Sequence, residues 1–179
     1  MLRSLLTIVA LVVTAHLLDG PALGLQTAGL SGADWHRALR VAGFLPVWIA
    51  IGAALSLHQR RQTLGIAVVL SAGLSGLIAE IGKLLIRRGR PGEAVGYVFH
   101  PLPEDLSTAG LGMPSSHTAV AFGGAFLLAR LYPKTAPVVL LWAGGCGLTR
   151  MLDGAHFLSD VVAAVGLAWL TARAVASRL

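Results

Sequence analysis

Six apolar stretches, residues 2–18, 40–57, 64–86, 116–131, 136–152 and 157–176, occupy most of this 179-residue chain. Some are near the ~17 residues that a bilayer crossing requires. Hydrocarbon leaves no partner for an unpaired backbone group, so each stretch is expected to be a helix. The expected fold is therefore all-α, a polytopic membrane protein built as a six-transmembrane-helix bundle. Composition agrees, with 55% hydrophobic and 12% charged residues and a mean hydropathy of +0.75, values foreign to soluble domains of this size. No Pro/Gly/Ser-rich or charged run is long enough to link two domains, so residues 1–179 are expected to form a single domain. A lone cysteine, Cys146, points away from a disulfide framework and from a thiolate metal cluster.

Two connections stand out. Residues 19–34 are rich in Gly and Ala and leave room for a short interfacial helix. Residues 88–114 hold Gly89, Pro91, Pro101, Pro103 and Gly112 and read as a loop. The first apolar stretch has a competing reading as a cleaved secretory signal, with Arg3 ahead of an apolar core and "VTA" at 13–15 as the cleavage site. Leu17 and Leu18 continue the apolar run, and the charges fit six helices better.

Charge orients the bundle. With the N-terminus inside, one side receives Arg3, Arg60, Arg61, Arg130, Lys134, Arg173 and Arg178 and none of the eight acidic residues. That asymmetry predicts cytoplasmic termini. A net charge of +6 is spread as punctuation between apolar segments rather than gathered in one patch. It reads as topology signals and membrane-lipid contacts, not nucleic-acid binding. The other seven bases, including the run "KLLIRRGRP" at 83–91, fall outside against the trend. Topology does not account for them.

Three polar groups lie near the outer helix ends. Lys83 and Arg87 are i and i+4 on the third helix, with Arg90 just beyond. "MPSSHT" at 113–118 leads into the fourth helix, and "TRMLDGAHFLSD" at 149–160 spans the turn between the fifth and sixth. Arg87 and Arg88 are expected to snorkel to the interface or touch headgroups. Asp153 with Gly154 is expected to make the turn and cap the sixth helix. Glu80, three residues before Lys83, is expected to pair with Lys83 or Arg87. His156 and Asp160 are i and i+4, within reach on one helix face, and such a pair at membrane depth is costly unless used. Lys83, Arg90 and Arg150 supply cations, two of them planar forks suited to phosphate oxygens. The helix start at Ser115 and Ser116 supplies free amides and a positive dipole end. Together these form a phosphate cradle with a nucleophile and an acid.

These motifs resemble those of the type 2 phosphatidic acid phosphatase superfamily. "KLLIRRGRP" is similar to K-x6-R-P, "PSSH" to P-S-G-H, and "TRMLDGAHFLSD" to S-R-x5-H-x3-D, in the family's order. Ser116 replaces a common Gly, and Thr149 a common Ser. The resemblance implies a membrane lipid phosphatase with its active site at the non-cytoplasmic face, in the bacterial inner membrane. It implies His156 as the nucleophile that becomes a phosphohistidine, with Asp160 fixing its tautomer. His117 is implied as the acid for the leaving lipid alcohol and then the base for water. Lys83, Arg90 and Arg150, with the Ser115 and Ser116 amides, are implied as phosphate ligands. No metal or other cofactor is implied, since three cations compensate the phosphoryl charge. The remaining outer-face carboxylates, Glu80, Glu93, Glu104, Asp105 and Asp153, suggest no two-metal cage.

The partners expected are a lipid phosphate or pyrophosphate substrate and membrane lipids, with no nucleic acid and no obligate protein partner. Undecaprenyl pyrophosphate or phosphate, phosphatidylglycerol phosphate, phosphatidic acid and a lipid A phosphate all fit. Tyr97, His100, Glu104 and Asp105 are the polar candidates for reading the headgroup, although ordinary loop roles suit them too. A lipid-to-lipid phosphotransferase of the same superfamily is the alternative function. From other classes, a lipid-phosphate-binding scaffold or transporter gives no reason for the His156/Asp160 spacing. An intramembrane serine protease lacks a matching serine motif.

Overall fold

Burial of apolar side chains and internal pairing of backbone groups both favour helices here, and helices are what form. The computed structural model of the chain describes residues 2–26, 32–59, 62–92, 97–101 and 107–179. Arg60, Arg61, Glu93, Glu104 and Asp105 lie outside the described residues. Eight α-helices are seen among the described residues: α1 Leu2–Leu17, α2 Asp19–Leu23, α3 Asp34–Arg40, α4 Leu45–Gln59, α5 Gln62–Ile86, α6 Ser116–Leu131, α7 Ala136–Leu152 and α8 Leu158–Ala176. No β-strand is present among them, and the described residues of the 88–114 connection form the isolated bridges Arg88 with Phe99 and Gly89 with Leu111. The short α2 is the helix for which residues 19–34 left room.

The stretch expected to be one helix from residue 40 to 57 is α-helical only from Leu45, and α3 precedes it. A 3-10 turn, Val41–Gly43, separates α3 from α4, and the two arms bend by 71°. Pro46 in the first turn of α4 is the cause, because its ring would collide with the carbonyl four residues back and it has no N–H to donate. That carbonyl, on Ala42, accepts the buried Trp48 indole N–H at 2.8 Å instead.

Helix α6 packs against α5, α7 and α8 and against the 3-10 turn. It can do so because its buried residues are mostly small: Ala119, Ala121, Gly123, Gly124 and Ala125. A Cβ on Gly124 would overlap the Trp48 ring. Helix α1 packs along α8, with a Cβ on Gly166 meeting Ile8. Helices α5 and α8, and α7 with its preceding turn, are long and apolar enough to cross a membrane, and the bent α3/α4 pair makes up to four. Helix α1 is apolar but shorter, at 16 residues.

Candidate active site

One cavity of about 440 Å³ is lined by Glu80, Lys83, Arg90, Ser107, Thr108, Ala109, Ser116, His117, Arg150 and His156. Six of the eight sequence-derived site residues thus share one space: Lys83 from α5, Arg90 just beyond it, Ser116 and His117 from the start of α6, Arg150 from the end of α7, and His156 from the turn before α8. Asp160 stands behind His156, and Ser115 behind Ser116.

The cations arrive with partners. Lys83 is buried, and its Nζ donates to Glu80 Oε1 at 2.8 Å and to Ser116 Oγ at 2.7 Å, so Glu80 takes the pairing role expected of it. Arg150 Nη1 donates to Asp153 Oδ2 at 2.9 Å, and the other oxygen of Asp153 lies 3.0 Å from Nε2 of the fully buried His36. Asp153 is therefore more than a turn residue: it clamps Arg150, while Gly154 beside it takes the turn with a φ of +64°.

His156 departs from the expected helix. Helix α8 begins at Leu158, so His156 lies ahead of it in the turn, yet its Nδ1 still comes within 3.6 Å of Asp160 Oδ2. The same Oδ2 accepts the Phe157 amide at 2.9 Å. Asp160, not Asp153, caps α8 from its N3 position. Burial holds the His156 imidazole below its usual pKa, with Asp160 opposing and Arg150 and Lys83 adding to the shift.

Ser115 does not offer the donor expected of it. Its amide donates to the Asp160 carbonyl at 3.2 Å, and its hydroxyl accepts from Thr118 Oγ1 at 3.0 Å. It ties α6 to α8 and is fully buried. Thr149 is likewise turned away, donating to the Cys146 carbonyl at 2.7 Å.

Arg88 overturns its expected role as an interfacial anchor. Only 2% exposed, it donates from Nη2 to Ser159 Oγ at 2.9 Å and to Asp160 Oδ1, with Nη1 3.7 Å from Asp19. The cause is local backbone. Arg87, with φ +59°, ends α5 in the left-handed region and redirects the chain, so the next side chain leaves the helix surface. Arg87 itself reaches the Ser107 carbonyl at 3.4 Å. Tyr97, a headgroup candidate by sequence, instead stacks on His16 and donates to Asp19 at 3.2 Å.

Sequence reasoning thus passed over Asp19, His36, Arg88, Asp153 and Ser159 as parts of this site. A usable signal existed for Asp19, a lone acid directly after an apolar run. Gly43 and Phe44 were also missed. The turn before α4 presses on His117, with Phe44 edge-on to its ring at 5.2 Å between centroids, and a Cβ on Gly43 would lie 2.8 Å from the His117 Cβ.

A family model described as the PAP2 superfamily matches residues 64–178, which contain every one of the eight candidate residues. The chain belongs to the PAP2 superfamily. A decaprenylphosphoryl-5-phosphoribose phosphatase of Mycobacterium tuberculosis is 31% identical over 159 residues, covering 89% of this chain and 82% of that protein. An undecaprenyl-diphosphatase of Sulfolobus acidocaldarius is 29% identical over 120 residues, 65% of this chain and 56% of that protein. The chain therefore spans little more than half the length of the second relative. The crystal structure of a transmembrane PAP2-type phosphatidylglycerolphosphate phosphatase from Bacillus subtilis superposes with a TM-score of 0.71 at 19% identity, covering 99% of this chain and 94% of that one. That likeness is one of fold. With these relations and its membrane-length helices, this PAP2 chain is an integral membrane protein.

Proposed function

We propose that this PAP2 protein is a lipid phosphatase that removes a phosphate from a lipid monoester or pyrophosphate through a phosphohistidine at His156. The observation that carries the reading is the convergence of Lys83, Arg90, Arg150, His117 and His156 on one cavity, with Asp160 behind His156. The relatives' names add support, one being an undecaprenyl-diphosphatase and the other a decaprenylphosphoryl-5-phosphoribose phosphatase.

With Nδ1 turned toward Asp160, Nε2 is the nitrogen left to attack phosphorus. The N–P bond forms as the P–O bond to the lipid breaks, and His117 gives its proton to the departing oxygen. Water then attacks phosphorus, His117 takes its proton, and the N–P bond breaks to release phosphate. Lys83, Arg90, Arg150 and the first-turn amide of Ser116 hold the non-bridging oxygens. Ser115 orders the α6/α8 junction behind them. The donor set is cationic, which suits an anionic group and repels a divalent cation, so the reaction is metal-independent.

Residues 1–179 act as one domain with six spans, α1 and α6 completing the set although each is only 16 residues long. The termini are cytoplasmic and the cavity opens to the outer face of a bacterial inner membrane, where a lipid presents its phosphate laterally. Purified protein in detergent, supplied with undecaprenyl phosphate and pyrophosphate, phosphatidylglycerol phosphate, phosphatidic acid and lipid A, is expected to release inorganic phosphate from at least one. A phosphorylated acceptor, formed only when an acceptor alcohol is added and in place of free phosphate, identifies a phosphotransferase instead; wild-type rates from His156→Ala would end the assignment.

A further inference from the structure

Three charged groups and one serine on the hidden side of His156 form a continuous polar chain. Asp19, 1% exposed, accepts the Ser159 amide at 2.8 Å and the Ser159 hydroxyl at 2.5 Å, and the Arg88 guanidinium stands 3.7 Å away. Arg88 in turn binds Asp160, and Asp160 faces His156. The guanidinium lies against the rings of Phe157 and Tyr97, at 4.6 and 5.2 Å from their centroids. We propose that Arg88, anchored by Asp19, is a positioning residue that fixes Asp160 against His156, so that the α1–α2 segment takes part in the chemistry without touching substrate. The inference rests on the reading of His156 as the phosphorylated group.

Two features favour this over a merely structural pair. The surrounding backbone is built around it: the Gly112 amide donates to the Arg88 carbonyl at 2.7 Å, and the Gly89 amide to the Val98 carbonyl at 2.8 Å. A Cβ on Gly112 would stand 2.9 Å from Asp160 Oδ2, so a glycine lets the chain pass over the carboxylate. The second feature is charge. Two carboxylates face one guanidinium, leaving one negative charge in excess while His156 is neutral. His16 meets Asp19 only from a half-exposed position, with Nδ1 at 3.4 Å. The excess is balanced when the His156 ring becomes cationic on taking the phosphoryl group at Nε2, so the network favours the phosphorylated state over the resting one.

The test uses full-length protein in detergent, the lipid phosphate turned over fastest in the panel above, and orthovanadate inhibition as a measure of phosphate binding. Arg88→Lys keeps the charge and loses the fork that spans Ser159, Asp160 and Asp19. Its kcat is expected to fall about 10- to 100-fold, the usual cost of a lost supporting partner, while KM and vanadate inhibition stay within about threefold. Asp19→Asn is nearly isosteric and removes one negative charge. Its kcat is expected to fall and the acid limb of kcat/KM to move to lower pH, because less negative charge then supports the protonated ring. The other groups facing His156 are unchanged in it: Asp160 from α8, Arg150 from α7, Lys83 from α5 and His117 from α6.

Arg88→Met strands two buried carboxylates. If it does not accumulate, Arg88→Met/Asp19→Asn, which removes one charge of each sign, serves in its place with the same expected loss of kcat. If Arg88→Lys and Asp19→Asn only lower thermal stability, with kcat per folded molecule and the acid limb unmoved, Arg88 is structural and the inference is overturned. If wild-type protein forms no phosphohistidine, or His156→Ala turns over normally, the parent reading falls and takes this one with it. A dead His156→Ala beside fully active Arg88→Lys and Asp19→Asn overturns the inference alone.

Discussion

Asp160 Oδ2 lies 3.6 Å from His156 Nδ1 while its Oδ1 is held by Arg88, so one carboxylate joins the His156 imidazole to a buried cation. Asp160→Asn keeps the shape of that link and removes its charge. By analogy with a catalytic Asp–His pair, kcat is expected to drop by roughly 10³- to 10⁴-fold. The variant should still bind vanadate, because Lys83, Arg90 and Arg150 are untouched. A kcat within tenfold of wild type, on the order of 1.4 kcal/mol in barrier, would remove Asp160 from the mechanism.

His156→Ala should leave the bundle folded and abolish turnover. The decisive readout is an acid-labile, base-stable phosphoryl adduct trapped from wild-type protein and absent from the variant. His117→Ala should also be nearly inactive, since it removes the proton donor for the leaving oxygen, yet it should still bind phosphate.

Asp153 tests the positioning of a cation rather than the chemistry. Asp153→Ala frees Arg150 Nη1 and removes the acceptor beside buried His36 Nε2. A mobile Arg150 grips phosphate less well, so kcat/KM is expected to fall about 10- to 100-fold, in line with the roughly 1.5–3 kcal/mol value of a hydrogen bond to a charged group. Unchanged steady-state kinetics together with a lower Tm would show that the pair serves folding only.

The pH dependence follows from the burial of His156. Its pKa is held below the usual 6.5, and in the proposed mechanism the neutral ring is the nucleophile. Lowering pH through 6.5 therefore leaves the ring unprotonated, and the nucleophile is lost only further down. The rate of phosphohistidine formation, measured by rapid alkaline quench after reaction at pH 4–8, should show its acid limb below pH 6.5. A limb above 6.5 would mean that Asp160 outweighs burial.

Packing makes a separate prediction. Gly124→Ala places a Cβ into the ring of fully buried Trp48, which holds the bend before α4 through its bond to Ala42. Overpacking of this kind costs about 1–3 kcal/mol. Thermal unfolding in detergent should shift down by several degrees, whereas Gly144→Ala, with open space around its Cβ, should leave it unchanged.

Hydropathy alone carried the helices well. The limits of α6 and α7 match those read from the apolar runs at both ends, because hydrophobic extent and helix extent coincide where flanking prolines and charges stop both. The break between α3 and α4 was legible in Pro46 but was overridden by the apolar run around it. In the site, Lys83, Arg90, His117, Arg150, His156 and Asp160 were recognisable because motif residues keep fixed spacing along the chain. Ser115 was named for the right segment and the wrong job, since which amide of a helix start remains free depends on what packs against it.

What the chain alone determined is therefore its helical membrane character and the short-range pattern of cations and histidines, both properties of residues close in sequence. Only the tertiary structure separated Arg88 from Arg87. The two are the same side chain one position apart, and their chemistry does not distinguish them; the left-handed turn at Arg87 and the approach of Asp19, Ser159 and Asp160 from distant segments send one inward and leave the other near the surface. A buried charge is tolerated only where opposite charge and hydrogen-bond partners converge on it, and convergence of α2, α8 and the segment after α5 is a fact of packing, not of spacing.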